Sequence, residues 1–402
     1  MSSDALRAFK ADLLARIDIV PLIERHVPLK KAGASYMACC PFHSEKTPSF
    51  SVSPAKQFYH CFGCGAHGNA IDFLVEYQGL SFIEALRALA AEVGMELPRL
   101  NRHENNPEAH RSTIVPLLEA MRNATEFYKA QLKHSPAAID YLKKRGLTGE
   151  TVMRFSLGYA PEAWEALRGA FANYAAPELV ESGLVIDGEK GRRDRFHGRV
   201  IFPIFNQKND VIAFGGRIIG PGEPKYLNSP ETPLFEKGKE LFGLPQARLA
   251  LRRENCAIVV EGYMDVVMLH QHGIEHAVAT LGTATTPAHV QKLLRQVDRI
   301  VFCFDGDNAG RKAAWRALEN AMEQLVDGKT LAFAFLPEGE DPDSLVQQEG
   351  QAAFLQRMRQ ALPLSEYLFE HLLAEGDSNS AEGRAKLIAE ARPLIERAGA
   401  PI

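Results

Sequence analysis

The sequence predicts a multidomain protein of the α/β and α+β classes with a small metal-binding domain at its N-terminus. Its 402 residues exceed the roughly 250–300 residues that a single hydrophobic core serves. Four of its six cysteines crowd into residues 39–64, as in a metal site. After residue 254, short apolar runs alternate with helical stretches, which is typical of a parallel sheet. We therefore expect an N-terminal zinc ribbon, a mixed basic subdomain, a βαβ parallel sheet and a C-terminal helical subdomain.

Shifts in composition along the chain give the expected domain boundaries. A stretch rich in asparagine and charge separates the cysteine-containing part from the rest, and such stretches are typical of linkers. A mostly helical and then mixed region follows before the βαβ pattern begins. The expected divisions are the zinc ribbon at 1–98, the linker at 99–112, the basic subdomain at 113–253, the βαβ subdomain at 254–345 and the helical subdomain at 346–402.

The composition is that of an ordinary globular protein. Hydrophobic residues make up 46% of the chain and charged residues 24%, which excludes a disordered, collagen-like or disulfide-scaffold protein. The longest apolar run, at 331–336, is far shorter than the roughly 20 residues that cross a bilayer. Charges near the N-terminus also interrupt any apolar segment of a signal peptide. We therefore expect a cytoplasmic protein with no membrane partner.

Charge is segregated along the chain although the net charge is only −4. Residues 190–253 carry a net charge of +7, and residues 254–402 carry −9. A basic block followed by an acidic block indicates one surface for a polyanion and another that collects cations. Two solvated faces with unrelated biases explain the same charges equally well.

The clustered cysteines predict one zinc site. Cys40 and His43 form one pair with two residues between them, and Cys61 and Cys64 form a second pair 17 residues further on. Two closely spaced ligand pairs separated by the length of a hairpin are typical of tetrahedral zinc sites. Four protein ligands leave no open coordination position, so the zinc is expected to be structural. Cys39 and His67 are the alternative ligands.

Acidic residues follow three of the predicted buried strands. Because the carboxyl ends of parallel strands meet at one edge of an α/β sheet, these side chains are expected to converge. Neighbouring carboxylates repel one another unless cations neutralise them, and oxygen ligands favour Mg²⁺ or Mn²⁺. About two such ions are a common apparatus for phosphoryl transfer. The residues are Glu261 after 256–260, Asp305 and Asp307 after 300–304, and Asp341 and Asp343 after 331–336.

Seven segments of the sequence resemble those of the bacterial replicative primases of the DnaG type. The resemblance covers essentially the whole chain, and the motifs together are highly specific. It implies a zinc ribbon followed by a TOPRIM fold, which this family shares with topoisomerases. The segments are CCPFH (39–43), YHCFGCGAHGN (59–69), FGGR (214–217), PKYLNSPET (224–232), VEGYMD (260–265), FDGD (304–307) and DPD (341–343).

The resemblance assigns roles to individual residues. It implies that Glu261, Asp305 and Asp307 are catalytic and bind magnesium, with Asp341 and Asp343 as a further acidic pair. It places Cys40, His43, Cys61 and Cys64 as zinc ligands. The basic and polar residues matched to the nucleotide- and template-binding positions are Arg145, Arg199, Arg217, Lys225, Asn228 and Lys237.

The resemblance also implies an activity and partners. Primases of this type are DNA-directed RNA polymerases that make short RNA primers on single-stranded DNA from ribonucleoside triphosphates, for replication. Family members usually continue into a C-terminal helical domain that binds the replicative helicase. Because this sequence stops within a helical stretch, we expect the helicase-binding domain to be missing from it.

Two other functions are compatible with parts of the sequence. A TOPRIM topoisomerase or nuclease is the first, and a topoisomerase would need a tyrosine nucleophile. Tyr263 lies near Glu261, but the sequence offers it no evident activating partner. The second is a non-catalytic DNA-binding protein with a zinc ribbon, which the presence of all five acidic residues argues against.

Overall fold

The structure is a computed structural model that describes residues 3–42, 45, 47–78, 82–95, 107–188, 191–375 and 380–398. It divides into two compact units, residues 1–110 and residues 111–402. Each unit has its own hydrophobic core. No helix in these ranges combines the length and apolar character that a membrane span requires.

The first unit is an antiparallel ribbon of five strands, in the order β1-β2-β3-β4-β5, with helices packed against it. In β3, buried Phe50 and Val52 alternate with half-buried serines, as expected of a strand with one covered face. Asp18 caps α2 by accepting a hydrogen bond from the backbone N–H of Val20. The elements are α1 Ser3–Arg16, α2 Ile19–Glu24, β1 Lys30–Ala32, β2 Ser35–Ala38, β3 Phe50–Ser53, β4 Phe58–Cys61, β5 His67–Gly68, α3 Ala70–Gln78 and α4 Phe82–Glu92.

The second unit begins with helices and an antiparallel sheet of order β11-β10-β9-β6. Strand β9 is buried along almost its whole length and forms the centre of this sheet. The first helix begins within the range expected for the linker. The elements are α5 Pro107–Lys133, α6 Pro136–Lys144, α7 Gly149–Arg154, β6 Gly158–Ala160, a 3₁₀ turn Ala166–Ala170, α8 Pro177–Glu181, β7 Val185–Gly188, β8 Gly191–Asp194, β9 Arg199–Phe205, β10 Val211–Ile218 and β11 Tyr226–Asn228.

A second sheet, of order β13-β12-β14-β15-β16, is parallel except for its last edge strand. Its strands are buried on both faces by helices, which explains why they appear in the sequence as continuous apolar runs. The elements are α9 Leu244–Glu254, β12 Cys256–Val260, α10 Tyr263–Gln271, β13 Ala277–Ala279, α11 Pro287–Leu294, β14 Arg299–Phe304, α12 Asn308–Met322, β15 Thr330–Phe335, α13 Pro342–Arg359, β16 Leu362–Pro363, α14 Leu364–Glu375 and α15 Ala381–Glu396.

This architecture agrees with the predicted fold class. The ribbon, the mixed subdomain, the parallel sheet and the C-terminal helices occur in the predicted order. Three helices of the parallel-sheet region, α11, α12 and α13, begin at side-chain caps, in which Thr286, Asp307 and Asp341 each accept a hydrogen bond from a backbone N–H in the first turn. Two of these three caps are acidic residues of the predicted catalytic cluster.

Candidate functional site

Three of the predicted zinc ligands lie together in the ribbon. Cys61 ends β4, Cys64 follows it in a tight turn, and Cys40 comes just after β2. Their sulfur atoms all lie within 4.8 Å of one another, and the Sγ atoms of Cys40 and Cys64 are 3.8 Å apart. Tetrahedral zinc with Zn–S bonds of about 2.3 Å requires sulfur atoms about 3.8 Å apart, so the three thiols fit zinc. The fourth predicted ligand, His43, lies outside the described residues.

A network of hydrogen bonds surrounds the thiol of Cys61. Burial opposes ionisation of this thiol, but the Ser49 hydroxyl, 3.2 Å from Sγ, and the backbone N–H groups of Cys64 and Gly63 outweigh it. Together they lower the pKa of Cys61 to about 6. A depressed pKa favours the thiolate, which is the form that binds metal.

Glu45 and Ser49 support the zinc ligands but were not predicted from the sequence. The Glu45 carboxylate accepts hydrogen bonds from the backbone N–H of Cys40 at 2.6 Å and of Ser49 at 3.0 Å. It thereby ties Cys40 to the residue that precedes β3, the strand that pairs with β4. The alternative ligand Cys39 is exposed and lies outside the cluster of three sulfur atoms.

The acidic residues gather at the carboxyl edge of the parallel sheet. Glu261 follows β12, and Asp305 and Asp307 follow β14, which pairs directly with β12. Desolvation and then the negative charges of Asp305 and Asp307 raise the pKa of Glu261, although its side chain is partly exposed. Burial and then the charges of Asp341 and Asp307 likewise raise the pKa of Asp305. The structure therefore brings the predicted catalytic acids into mutual electrostatic contact.

Two glycines allow the backbone segments at this edge of the sheet to lie close together. A Cβ atom on Gly306 would lie 2.1 Å from the carbonyl oxygen of Leu336, at the end of the neighbouring strand. A Cβ atom on Gly310 would lie 2.2 Å from the carbonyl oxygen of Asp305. Both distances are shorter than any tolerated contact, so the spacing between the acidic strand ends depends on glycine at these positions.

The second acidic pair lies at the start of α13. Asp341 accepts a hydrogen bond from the backbone N–H of Ser344 at 2.7 Å. The side chain of Asp343 is 2% exposed. Arg145 donates to it at 3.2 Å and Gln347 at 2.6 Å. Burial raises the pKa of Asp343, and the charge of Arg145 partly opposes the rise.

A sixth carboxylate, Asp265, belongs to the same cluster and was not predicted. It lies in the first turn of α10 and accepts a hydrogen bond from the backbone N–H of Gly262 at 3.0 Å. Burial, followed by the charges of Asp341, Asp305 and Asp343, raises its pKa to about 7. Helical side chains point back toward the N-terminus of their helix, so an acidic residue in the first turn after a strand points toward the end of that strand. The position of Asp265, four residues after Glu261, was therefore the signal available in the sequence.

The carboxylates are nevertheless more widely spaced than the thiols. Within the described residues, only the three cysteines bring at least three ligand atoms within 4.8 Å of one another. The donor set itself, composed of oxygen atoms, is the one that Mg²⁺ and Mn²⁺ prefer.

One of the predicted basic residues is held by a tyrosine, and a second lies beside that tyrosine. Arg217 of β10 donates through Nε to the hydroxyl of Tyr141, and Arg145 lies four residues after Tyr141 on the same helix face. The guanidinium of Arg217 also lies 4.8 Å from the ring centre of Tyr226. Arg145 therefore lies between this group and Asp343, beside the acidic cluster.

The environment of Arg199 does not favour the nucleotide- or template-binding role predicted for it. It is 4% exposed, and its guanidinium donates to the carbonyl oxygens of Gly216 at 3.2 Å and Lys225 at 3.4 Å. Burial without a carboxylate partner lowers its pKa. This environment favours support of the strands that carry Arg217 and Lys225 over contact with a nucleic acid. The sequence did not indicate that Arg199 is buried, because it lies between a basic segment and an apolar segment.

Asn228, Lys225 and Lys237 have three different environments. The side chain of Asn228 accepts from the Tyr263 hydroxyl at 2.7 Å and donates to the carbonyl of Leu281 at 2.8 Å, so it joins β11 to the parallel-sheet region. Lys225 is exposed. Lys237 is half-buried, and burial lowers its pKa.

Four family models match successive parts of the chain. They are the CHC2 zinc finger at residues 6–105, the N-terminal domain of the DNA primase catalytic core at 127–248, a Toprim-like domain at 258–346 and the DnaB-helicase binding domain of primase at 365–402. The last match shows that the expected absence of the helicase-binding domain is wrong. The helical C-terminus carried no motif that distinguished such a domain from an ordinary helical end.

Known proteins similar to the chain are primases. The DNA primase of Neisseria meningitidis serogroup A is 54% identical over 397 residues, which cover 98% of this chain and 67% of that protein. The zinc-binding and RNA polymerase domains of the Aquifex aeolicus primase have a TM-score of 0.61 at 33% identity, covering 97% of this chain and 92% of that one. A DnaG primase catalytic domain bound to single-stranded DNA has a TM-score of 0.67 at 45% identity, covering 73% of this chain and 95% of that one.

These similarities confirm the predicted zinc finger, the Toprim fold and the activity of a DNA-directed RNA polymerase that makes primers. They do not favour a topoisomerase or a non-catalytic DNA-binding protein, because the part of the chain before the Toprim region matches a primase catalytic core. The chain belongs to the DnaG family of bacterial DNA primases.

Proposed function

We propose that this chain synthesises RNA primers on single-stranded DNA by nucleotidyl transfer at the acidic edge of the parallel sheet. The observation that carries the proposal is the convergence of six carboxylates, from three separate strand ends, whose charges act on one another. Ionised carboxylates this close repel one another, and bound cations neutralise that repulsion.

In the proposed site, Glu261, Asp305 and Asp307 hold about two Mg²⁺ or Mn²⁺ ions, with Asp341 and Asp343 completing the acidic edge. When bound there, divalent ions supply the positive charge that activates an attacking 3′-hydroxyl and neutralises the departing pyrophosphate. The carboxylates orient that charge, because Asp307 and Asp341 are each fixed by a hydrogen bond from the first turn of a helix. No protein nucleophile is required.

The basic side chains beside this edge would bind the phosphates of the substrates. Arg145 and Arg217 lie next to the acidic cluster, and exposed Lys225 precedes β11. Asn228 and Arg199 would act through the strands that they join. Lys237 would add a further cation near β11. Binding through such cations weakens as salt rises, because counterions are no longer released favourably.

The ribbon would bind one structural zinc ion through Cys40, Cys61 and Cys64, with His43 as the proposed fourth ligand. Its outer face carries exposed aromatic side chains, Phe58 at 36% and Phe62 at 75% exposure. Exposed rings provide surfaces on which unpaired bases stack. We therefore assign template selection to this unit.

The C-terminal helices would contact a replicative helicase. The support for this partner is the match of residues 365–402 to the DnaB-helicase binding domain of primase. Phe369 and Leu373, one turn apart on α14, are large exposed apolar residues within that range. Such side chains are suited to a protein contact.

Substitution of the two aspartates after β14 tests the proposed metal site. Asp305→Asn and Asp307→Asn remove charge with little change of shape, and asparagine caps a helix as well as aspartate does. We expect both variants to lose at least about 100-fold in primer synthesis from labelled ribonucleotides, with a matching loss of Mn²⁺ binding measured by electron paramagnetic resonance.

Asp298→Asn provides the matched control. Asp298 lies at the opposite end of the same strand, where it pairs with Lys329 and Asn255. This variant should retain both activity and Mn²⁺ binding. Near-normal primer synthesis by Asp305→Asn would refute the proposed metal site.

A further inference from the structure

We infer that Tyr141 is a positioning residue for nucleotide binding, whose hydroxyl holds Arg217 in place to contact a phosphate of the incoming ribonucleoside triphosphate. The inference rests on the proposed function and deepens it. It was not available from the sequence, because 76 residues separate Tyr141 from Arg217.

Tyr141 is placed by a short, well-defined helix. Ser135 caps α6 by accepting a hydrogen bond from the backbone N–H of Ala138, and Pro136 begins the helix. Tyr141 and Arg145 are four residues apart and therefore share one helix face. Buried Ala138 and Leu142 lie three residues before Tyr141 and Arg145 respectively, so they adjoin this face and anchor it in the core. The phenol ring thus extends from a fixed backbone.

The Tyr141 hydroxyl holds one of two neighbouring arginines. Arg217 donates to it through Nε, and the same guanidinium lies 5.9 Å from the centre of the Tyr141 ring. Arg145, four residues after Tyr141, lies on the same helix face. The phenol therefore holds Arg217 directly while a second cation lies beside it.

The two arginines differ in how their charge is balanced. Arg145 forms an ion pair with buried Asp343. Arg217 has no carboxylate within ion-pair distance in the described part of the chain, and it rests instead against the ring of Tyr226. Within the same residues, its Nη1 is buried and has no hydrogen-bond partner. A buried charged donor without a partner is costly, and an anionic oxygen is the ligand that would satisfy it.

The position of Arg217 indicates which anion that is. Tyr226, on which Arg217 rests, lies close enough to Asp265 for that carboxylate to influence the pKa of its hydroxyl. Arg145 links the same group to Asp343. The unsatisfied donor therefore lies beside the acidic cluster, where the triphosphate would bind together with divalent ions, so we assign it to a nucleotide phosphate and not to the template backbone.

The variant Tyr141→Phe tests this assignment, because it removes the hydroxyl and keeps the ring. We expect KM for ribonucleoside triphosphate to rise about tenfold, the equivalent of roughly 1.4 kcal/mol, with kcat changed much less. Affinity for single-stranded DNA, measured by fluorescence anisotropy without nucleotide, should stay within about twofold of wild type. Tyr174→Phe is the matched control, because the Tyr174 hydroxyl also bonds a charged side chain, donating to Asp194 at 2.6 Å, and Asp194 lies outside the acidic cluster.

A double-mutant cycle separates positioning from a general structural role. Combined with Arg217→Gln, the Tyr141→Phe change should have almost no further effect on KM, because the group that it positions is already lost. Additive effects would overturn the inference. An unchanged KM in Tyr141→Phe, or a loss of DNA affinity in place of nucleotide affinity, would also overturn it. Failure of the metal site itself would appear instead as lost Mn²⁺ binding in Asp305→Asn, which Tyr141→Phe should leave intact.

Discussion

Gly215, in the middle of β10, permits a close contact between the antiparallel sheet and the first residue of α10, Tyr263, and its substitution gives a quantitative prediction. A Cβ atom at this position would lie 2.6 Å from Cε2 and 2.7 Å from Cζ of Tyr263. Carbon atoms normally approach to about 3.5–4.0 Å, so in Gly215→Ala the ring would have to move by about 1 Å.

The ring of Tyr263 has little room to move. It is 5% exposed, and the rings of Phe202 and Phe242 lie 5.6 and 4.9 Å from it, centre to centre. Overpacking of this kind costs about 1–3 kcal/mol. Displacement of the ring would also strain the 2.7 Å hydrogen bond from Tyr263 to Asn228, which is worth about 1 kcal/mol.

Thermal unfolding measures this effect. A loss of about 2–3 kcal/mol corresponds to a fall in Tm of roughly 4–12 °C for a domain of this size. Gly149→Ala is the control, because a Cβ atom there meets nothing within 4 Å, and its Tm should stay within about 2 °C of wild type. A Tm of Gly215→Ala equal to that of wild type would refute the reasoning. So would an undiminished loss in a Tyr263→Ala background, where the clash is absent.

Three further predictions follow from charges and thiols. Arg145→Met leaves Asp343 buried without its cation and should lower the free energy of unfolding by about 2–3 kcal/mol. This loss is smaller than for a fully buried ion pair, because Arg145 is one-third exposed. The double variant with Asp343→Asn should recover part of the loss in Tm. Burial holds the pKa of His270 at about 4, below its ordinary 6.5. As the pH falls from 6.5 to 4, the unfolded chain takes up the proton first, so the free energy of unfolding falls by about 2–3 kcal/mol. His270→Asn should flatten this part of the plot of Tm against pH, and an unchanged slope would contradict the prediction. Cys64→Ser should reduce bound zinc, measured by mass spectrometry, from about one ion per chain to nearly none, whereas Cys39→Ser should keep it; equal loss in both would point to a different ligand set.

The features that the sequence predicted best are those that a local pattern determines. The runs at 256–260 and 300–304 are continuously apolar because helices cover both faces of their sheet. The position of Glu261 beside Asp305 then follows from parallel strands ending at one edge. The zinc ligands were equally accessible, since Cys61 and Cys64 form a short-spaced pair.

Features that no recognised motif encodes were missed, because they depend on where the fold places each side chain. Asp265 joins the acidic cluster only because α10 begins directly above the sheet edge. Glu45 supports Cys40 through its backbone N–H, which no ligand motif encodes. Arg199 is buried by strand pairing that its own basic neighbourhood does not indicate. The missed helicase-binding region has a similar cause, because an apolar stripe on a helix does not specify what it contacts.

The two capping aspartates described above bear on ion selectivity. One oxygen of Asp307 and one of Asp341 accepts a hydrogen bond from a backbone N–H. A carboxylate held in this way favours contact with an ion through its other oxygen over contact through both. Calcium commonly relies on two-oxygen contacts from a flexible shell of six to eight ligands, whereas magnesium accepts a compact octahedron. The same hydrogen bonds that start two helices would therefore favour magnesium over calcium at the proposed metal site.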